Sequence, residues 1–105
     1  MNGDHAPWQV YLLRCADGSL YCGVARDAQQ RLARHQSGSG AKYTKSHPPL
    51  HLAAVWQTQG RAAASRLEYR LKRLGKRQKE ALVQGASLAQ VGLESESDLY
   101  QSLPL

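Results

Sequence analysis

Two runs of strand-forming residues open the chain, Trp-Gln-Val-Tyr-Leu-Leu-Arg at 8–14 and Leu-Tyr-Cys-Gly-Val-Ala at 20–25, separated by Ala16-Asp17-Gly18-Ser19. β-Branched and aromatic residues on either side of an Asp-Gly turn predict a β-hairpin. Its register follows from the apolar pattern, because a slip of one residue sends every side chain to the other face. Setting Cys15 opposite Tyr21 and Tyr11 opposite Ala25 places Val10, Leu12, Leu20, Cys22 and Val24 on one uniformly apolar face. The other face then carries Tyr11, Leu13, Cys15, Tyr21, Gly23 and Ala25, joined through a three-residue loop or a bulge. A one-residue slip would mix Tyr11 with Cys22 and Val24 and leave neither face clean. The two tyrosines therefore share a face. Cys15 and Cys22 fall on opposite faces, which argues against a disulfide or a shared metal between them.

After the hairpin, Asp27 is a suitable N-cap with Gln30 three residues on, and helix-forming residues run to Gln36 before Ser37-Gly38-Ser39-Gly40. This predicts a short helix over 28–36, on which Arg31 and His35 are neighbours one turn apart. Residues 41–49, Ala-Lys-Tyr-Thr-Lys-Ser-His-Pro-Pro, read as a basic loop, and 50–57 as a third strand with Leu50, Leu52, Ala54 and Trp56 on one side. From 61 to 83 strong helix formers carry an apolar stripe at Leu67, Leu71 and Leu74, divided into two helices at Gly75. Beyond residue 85 there is only a weak helical pattern and an acidic patch, Glu94-Ser95-Glu96-Ser97-Asp98. The expected fold is α+β, a three-stranded antiparallel sheet flanked by helices in the order β-β-α-β-α-α. A domain over 8–83 and an acidic extension over 84–105, packed on it or loose, is the expected organisation.

Charge sharpens this picture. Fourteen Lys and Arg against eight Asp and Glu give a net charge of +6, and a basic surplus on a small domain favours polyanions, nucleic acid first. The positive charge is concentrated on the stretch 61–79 at Arg66, Arg70, Lys72, Arg73, Lys76, Arg77 and Lys79, whereas 81–105 has no basic residue at all. Two cysteines without paired spacing exclude a structural zinc site of the usual kind, and the absence of a leader or a long apolar run leads to the expectation of a cytoplasmic protein without a membrane partner.

Tyr11 in Gln9-Val10-Tyr11, Tyr21-Cys22-Gly23 ten residues later, Arg31 eight residues past that glycine, His35, and Glu68 on the long helix form an ordered constellation. It resembles the GIY-YIG nuclease superfamily over roughly residues 8–83, and the run Ser37–Thr44 is similar to the small stand-alone bacterial branch, UPF0213-like. The resemblance implies a metal-dependent endonuclease hydrolysing DNA phosphodiester bonds, with Tyr11, Tyr21, Arg31, His35 and Glu68 as catalytic residues. Tyr11 would orient or deprotonate the attacking water, for which a Tyr must be pushed well below its usual pKa of about 10. Tyr21 would hydrogen-bond the scissile phosphate, Arg31 would clamp its oxygens, and His35 would order the water or share the base role. Glu68 would be the single carboxylate holding Mg²⁺ or Mn²⁺. Gly23 would let backbone or substrate approach closely, and Lys42, Tyr43, Lys45, Arg66, Arg70 and Lys72 complete the expected nucleic-acid contacts.

The chain departs from the family pattern at Gln9-Val10 for Gly-Ile and at Cys22 for Ile. Val24 stands where other branches often have a Lys, and the Asn expected after the metal-binding Glu is missing, the sole Asn being Asn2. Lys42, Arg66 or Lys72 could replace that Lys. Each residue also has a plainer reading: the tyrosines as cross-strand packing, Arg31 and His35 as a solvated helix face, Glu68 with Lys72 as an i,i+4 ion pair. At the level of function the alternatives are a catalytically weak nucleic-acid-binding module that keeps the nuclease fold, and an RNA-directed protein. Single-stranded or structured DNA is the expected substrate, because a chain this size leaves little room for base-edge recognition. A monomer is the default.

Overall fold

The computed structural model describes residues 6–38, 47–93 and 99–105. Within them the chain runs β1 (Pro7–Cys15), β2 (Leu20–Ala25), α1 (Ala28–Gln36), β3 (Pro49–Gln59), α2 (Arg61–Lys72), α3 (Lys76–Val83), a 3-10 turn (Ala89–Val91) and β4 (Gln101–Ser102). The strands form one antiparallel sheet in the order β2-β1-β3-β4. The α+β class and the antiparallel sheet agree with the sequence, but the sheet has four strands rather than three. The extra strand is two residues long, pairing Trp56 with Ser102 and Gln57 with Gln101, and a segment so short carries no periodicity to be read.

The hairpin turns one residue earlier than expected. Tyr11 pairs with Gly23, not Ala25, and Gln9 takes Ala25. The turn chemistry sets this register: the Cys15 amide donates to the Ser19 carbonyl and the Gly18 amide to the Cys15 carbonyl, both at 2.9 Å, enclosing a three-residue loop. The Asp17 carboxylate accepts from the Ser19 amide at 3.0 Å and from its hydroxyl at 2.6 Å. Gly18, at φ +87°, takes the left-handed conformation that such a loop requires. Because the displacement is an even number of residues, the faces remain as the apolar pattern assigned them.

The third strand breaks its expected alternation. Leu12 pairs with Ala54 but Leu13 pairs with Leu52, leaving Ala53 as a bulge, and a second irregularity separates Arg14–His51 from Cys15–Pro49. Each added residue reverses which side chains face which way. Leu52 therefore joins Val55 beside Tyr11, Ala54 and Trp56 lie on the opposite face, and Leu50 is exposed.

Helices cover both faces. On one, Ala28 and Leu32 of α1 pack with Tyr11, Leu13, Ala25, Leu52 and Val55. On the other, Ala64, Leu67 and Leu71 of α2 and Leu82 of α3 pack with Val10, Leu12, Cys22 and Trp56, and the C-terminal part adds Leu88, Val91, Leu93 and Tyr100. The Tyr100 hydroxyl donates to the Ala63 carbonyl of α2. Gly75 separates α2 from α3 as expected, its amide donating to the Gln78 side chain at 3.0 Å. The hairpin tip is fastened to α3 by Arg14, which donates twice to the Glu80 carboxylate at 2.6 Å. Arg14 and Lys76 also both donate to the Gly18 carbonyl, at 2.9 and 3.1 Å.

Candidate active site

Tyr11 stands in the middle of β1, and its cross-strand partner Gly23 decides where its ring can lie. A Cβ at position 23 would sit 2.5 Å from the Tyr11 hydroxyl oxygen and 2.7 Å from Cζ, so the ring crosses the space a side chain would fill. The close approach that Gly23 permits is thus that of a tyrosine ring. The first turn of α1 is anchored to the same strand: the Ala28 amide donates to Gln9 Oε1 at 2.7 Å and the Gln30 amide to Asp27 at 3.1 Å. These bonds satisfy amides that a helix start leaves without intrahelical partners and fix where α1 presents Arg31 and His35.

His35 is 3% exposed, and its Nε2 lies 3.1 Å from the Tyr11 hydroxyl in a buried hydrogen bond. Tyr21 completes the cluster, its ring edge-on to His35 at 5.4 Å and tilted to Tyr11 at 6.5 Å between centroids. Burial raises the Tyr11 hydroxyl above its usual pKa of 10.0, and Tyr21 adds to this; Arg31 lowers it, the sense expected of a cation, but is outweighed. Burial raises Tyr21 as well, against the pull of Lys72. The His35 imidazole is held below its usual 6.5 by burial and then by Arg31 and Arg34. At neutral pH the pair is therefore a protonated phenol against a neutral imidazole.

Glu68 reaches this cluster from the opposite layer. Its carboxylate is felt by Tyr11 and Tyr21 on one face of the hairpin and by Cys22 on the other. Glu68 is thus within electrostatic reach of both faces of the hairpin. Lys72 Nζ pairs with Glu68 at 3.1 Å and acts electrostatically on Tyr21. Burial pushes the Cys22 thiol up to about 12, which leaves it a packing group rather than a nucleophile.

The fold thus gathers Tyr11, Tyr21, Arg31, His35, Glu68 and Lys72. It places Arg66 and Arg70 elsewhere: each is two residues from Glu68, hence about 200° round the helix, and they line a separate pocket with Ser65, Tyr69 and Arg73. Lys42, Tyr43 and Lys45 lie outside the described residues. Val24 packs against the apolar core, and of Arg66 and Lys72, the two described cations considered as a replacement for Lys at that position, Lys72 is the one that acts electrostatically on Tyr21. The sequence reading missed Gln9 as the anchor of α1. Its signal was there to be found, a polar residue on the Tyr11 face of a strand, close to a helix start. It also missed Trp8, whose ring has Arg26 and Arg61 at 5.6 and 5.4 Å from its centroid.

The family pattern of the GIY-YIG catalytic domain matches residues 7–81, the stretch that carries the two tyrosines of the hairpin, Arg31 and His35 of the following helix and Glu68 of α2. The chain belongs to that family of nuclease-type hydrolases, a membership that implies nucleic-acid binding. Within the family it is UPF0213-like. A UPF0213 protein of Vibrio cholerae is 52% identical over 83 residues, 76% of this chain and 80% of that protein. One of Citrobacter koseri is 51% identical over 77 residues, 73% of this chain and 77% of that protein. The solution NMR structure of a UPF0213 protein from Bacillus halodurans is 39% identical, covering 86% of this chain and 92% of that one, with a TM-score of 0.49. Among the described residues no helix is long and apolar enough to cross a membrane.

Proposed function

We propose that this chain is a divalent-metal-dependent endonuclease that hydrolyses phosphodiester bonds in single-stranded or structured DNA. The supporting observation is the buried Tyr11–His35 hydrogen bond beside Tyr21, with Arg31 and Glu68 acting electrostatically on both tyrosines. Burying such polar groups is costly unless each is satisfied, and apolar side chains would fill the same space without that demand.

Hydrolysis needs a positioned water that loses a proton, positive charge about the phosphate and help for the leaving oxygen. Tyr11 does not serve as a standing phenolate, because burial keeps its proton on. It acts as a relay: the hydroxyl passes its proton to neutral His35, in the tautomer whose Nε2 accepts, while its oxygen takes the proton of the attacking water. Tyr21 donates to a non-bridging phosphate oxygen, and Arg31 and Lys72 hold the phosphate's charge. Glu68 would hold Mg²⁺ or Mn²⁺. Among the described residues no group of three or more His, Cys, Asp or Glu comes together, and one carboxylate suits a hard ion that keeps most of its waters and takes further ligands from substrate. Bound there, the ion would supply Lewis-acid stabilisation of charge on the phosphate and the leaving oxygen. The cations of the site are phosphate contacts, which position a strand without reading its sequence.

The test is cleavage of end-labelled single-stranded, duplex and forked DNA with Mg²⁺, Mn²⁺ or EDTA, by the wild type and by Glu68→Ala. Metal-dependent cutting is expected, reduced at least about 100-fold in the variant. Binding without cutting under either metal would leave a nucleic-acid-binding module in place of the nuclease. Cutting undiminished in Glu68→Ala would displace Glu68 from the site.

A further inference from the structure

Another side of α2 carries a second feature with nucleic-acid chemistry. Tyr69 is 62% exposed on a helix whose apolar stripe is complete without it. The Arg73 guanidinium lies 5.4 Å from its ring centroid and donates to its hydroxyl at 3.2 Å, fixing an exposed aromatic in one orientation. Ser65, Arg66 and Arg70 join Tyr69 and Arg73 around a pocket of about 500 Å³. An aromatic face set among guanidinium groups is what a strand of unpaired bases recognises, by stacking on the ring and placing phosphates at the cations.

We propose that Tyr69, with Arg66, Arg70 and Arg73, is a second contact for an unpaired DNA strand whose scissile phosphate lies in the Tyr11–Glu68 site. The inference rests on the nuclease reading and adds a substrate form to it. Tyr69 and Arg73 lie about 100° and 140° round the helix from Glu68, so a strand that engages both sites turns about a body roughly 10–12 Å across. A duplex, with a persistence length of about 150 base pairs, does not bend round so small a radius, whereas a single strand does. The strand therefore leaves the cleavage site, passes round α2 and stacks a base on Tyr69 a few nucleotides away. An acidic polypeptide would offer carboxylates to the guanidinium groups but no base to stack on the ring.

The test measures binding of oligothymidylates of roughly 4 and roughly 16 nucleotides to the full chain in EDTA, and cleavage of both with metal. The proteins are the wild type, Tyr69→Ala, Tyr69→Phe and Arg73→Gln. Tyr69→Ala is expected to weaken the longer strand about tenfold, raise its KM and leave kcat and the short strand unchanged. Tyr69→Phe should bind as wild type, since stacking uses the ring, and Arg73→Gln should lower the salt dependence of long-strand binding by about one counterion. Equal binding of the long strand by Tyr69→Ala and wild type would overturn the proposal, as would equal weakening of both lengths. Polyglutamate competing as well as the oligonucleotide, and equally against wild type and Tyr69→Ala, would assign the patch to acidic polypeptides. A wild type that binds no unpaired DNA overturns this proposal together with the nuclease reading; one that cuts while Tyr69→Ala is indistinguishable from it overturns this proposal alone.

Discussion

The two faces of the sheet are made by the same strands and are used in opposite ways. Towards α2 and α3, Val10, Leu12, Cys22 and Trp56 meet Ala64, Leu67 and Leu71 in an apolar core. Towards α1, the same alternation buries Tyr11 and His35, with Tyr21 beside them, around a hydrogen bond. The first face needs only shape and apolar area. The second needs a glycine opposite a tyrosine, a Gln reaching from strand to helix start and a neutral imidazole at a set distance. The contrast teaches that one face serves stability alone, whereas the other adds to its own apolar cluster of Leu13, Leu52 and Val55 an arrangement of polar groups that stability does not require.

The largest effect on stability is expected from Leu67→Ala, which empties a fully buried position in the apolar core. A loss of about 2–5 kcal/mol should appear in denaturant unfolding, with cleavage per folded molecule retained. Gly23→Ala carries the comparison to the other face. The added methyl meets the Tyr11 ring, and displacing that ring should cost about 1–3 kcal/mol and abolish cleavage even in the folded fraction. An active Gly23→Ala protein would show that the position of Tyr11 does not matter.

A smaller effect separates the hairpin tip from both faces. The Arg14 guanidinium holds the Glu80 carboxyl down to about 2 from an ordinary 4.5. A depressed carboxyl stabilises the fold fully above about 4.5 and loses that contribution as the pH falls towards 2. His35 is likewise depressed, so its contribution is full above 6.5 and is lost as the pH falls through its folded value. Unfolding curves against pH should therefore show two windows. His35→Gln should remove the upper one and Glu80→Gln the lower, the latter costing about 1 kcal/mol at neutral pH. Cleavage should follow only the His35 window.

Much of this arrangement was legible beforehand because side-chain alternation is a local property. The sharing of a face by Tyr11 and Tyr21, the 28–36 helix with Arg31 and His35 in line, and the break at Gly75 all follow from patterns a few residues long. The pairing of Tyr11 with Gly23 was not legible, since it depends on how Asp17 and Gly18 close the loop. Nor was the reversal at Ala53, because a bulge is a property of two paired strands and not of one. β4 is too short to carry a pattern. That Tyr11 would keep its proton also escaped the sequence, which shows the nearby cation Arg31 but not the burial that outweighs it.

The division between the faces is tested most directly by measuring, on one preparation of Tyr11→Phe, both its unfolding free energy and its metal-dependent cleavage. The substitution removes a hydroxyl and leaves the ring over Gly23. Stability is expected to fall by only about 1–2 kcal/mol, from the buried His35 nitrogen left without its partner, while cleavage falls about 100-fold or more. Cleavage close to the wild-type rate in a folded Tyr11→Phe protein would contradict the division and reduce the Tyr11–His35 pair to packing.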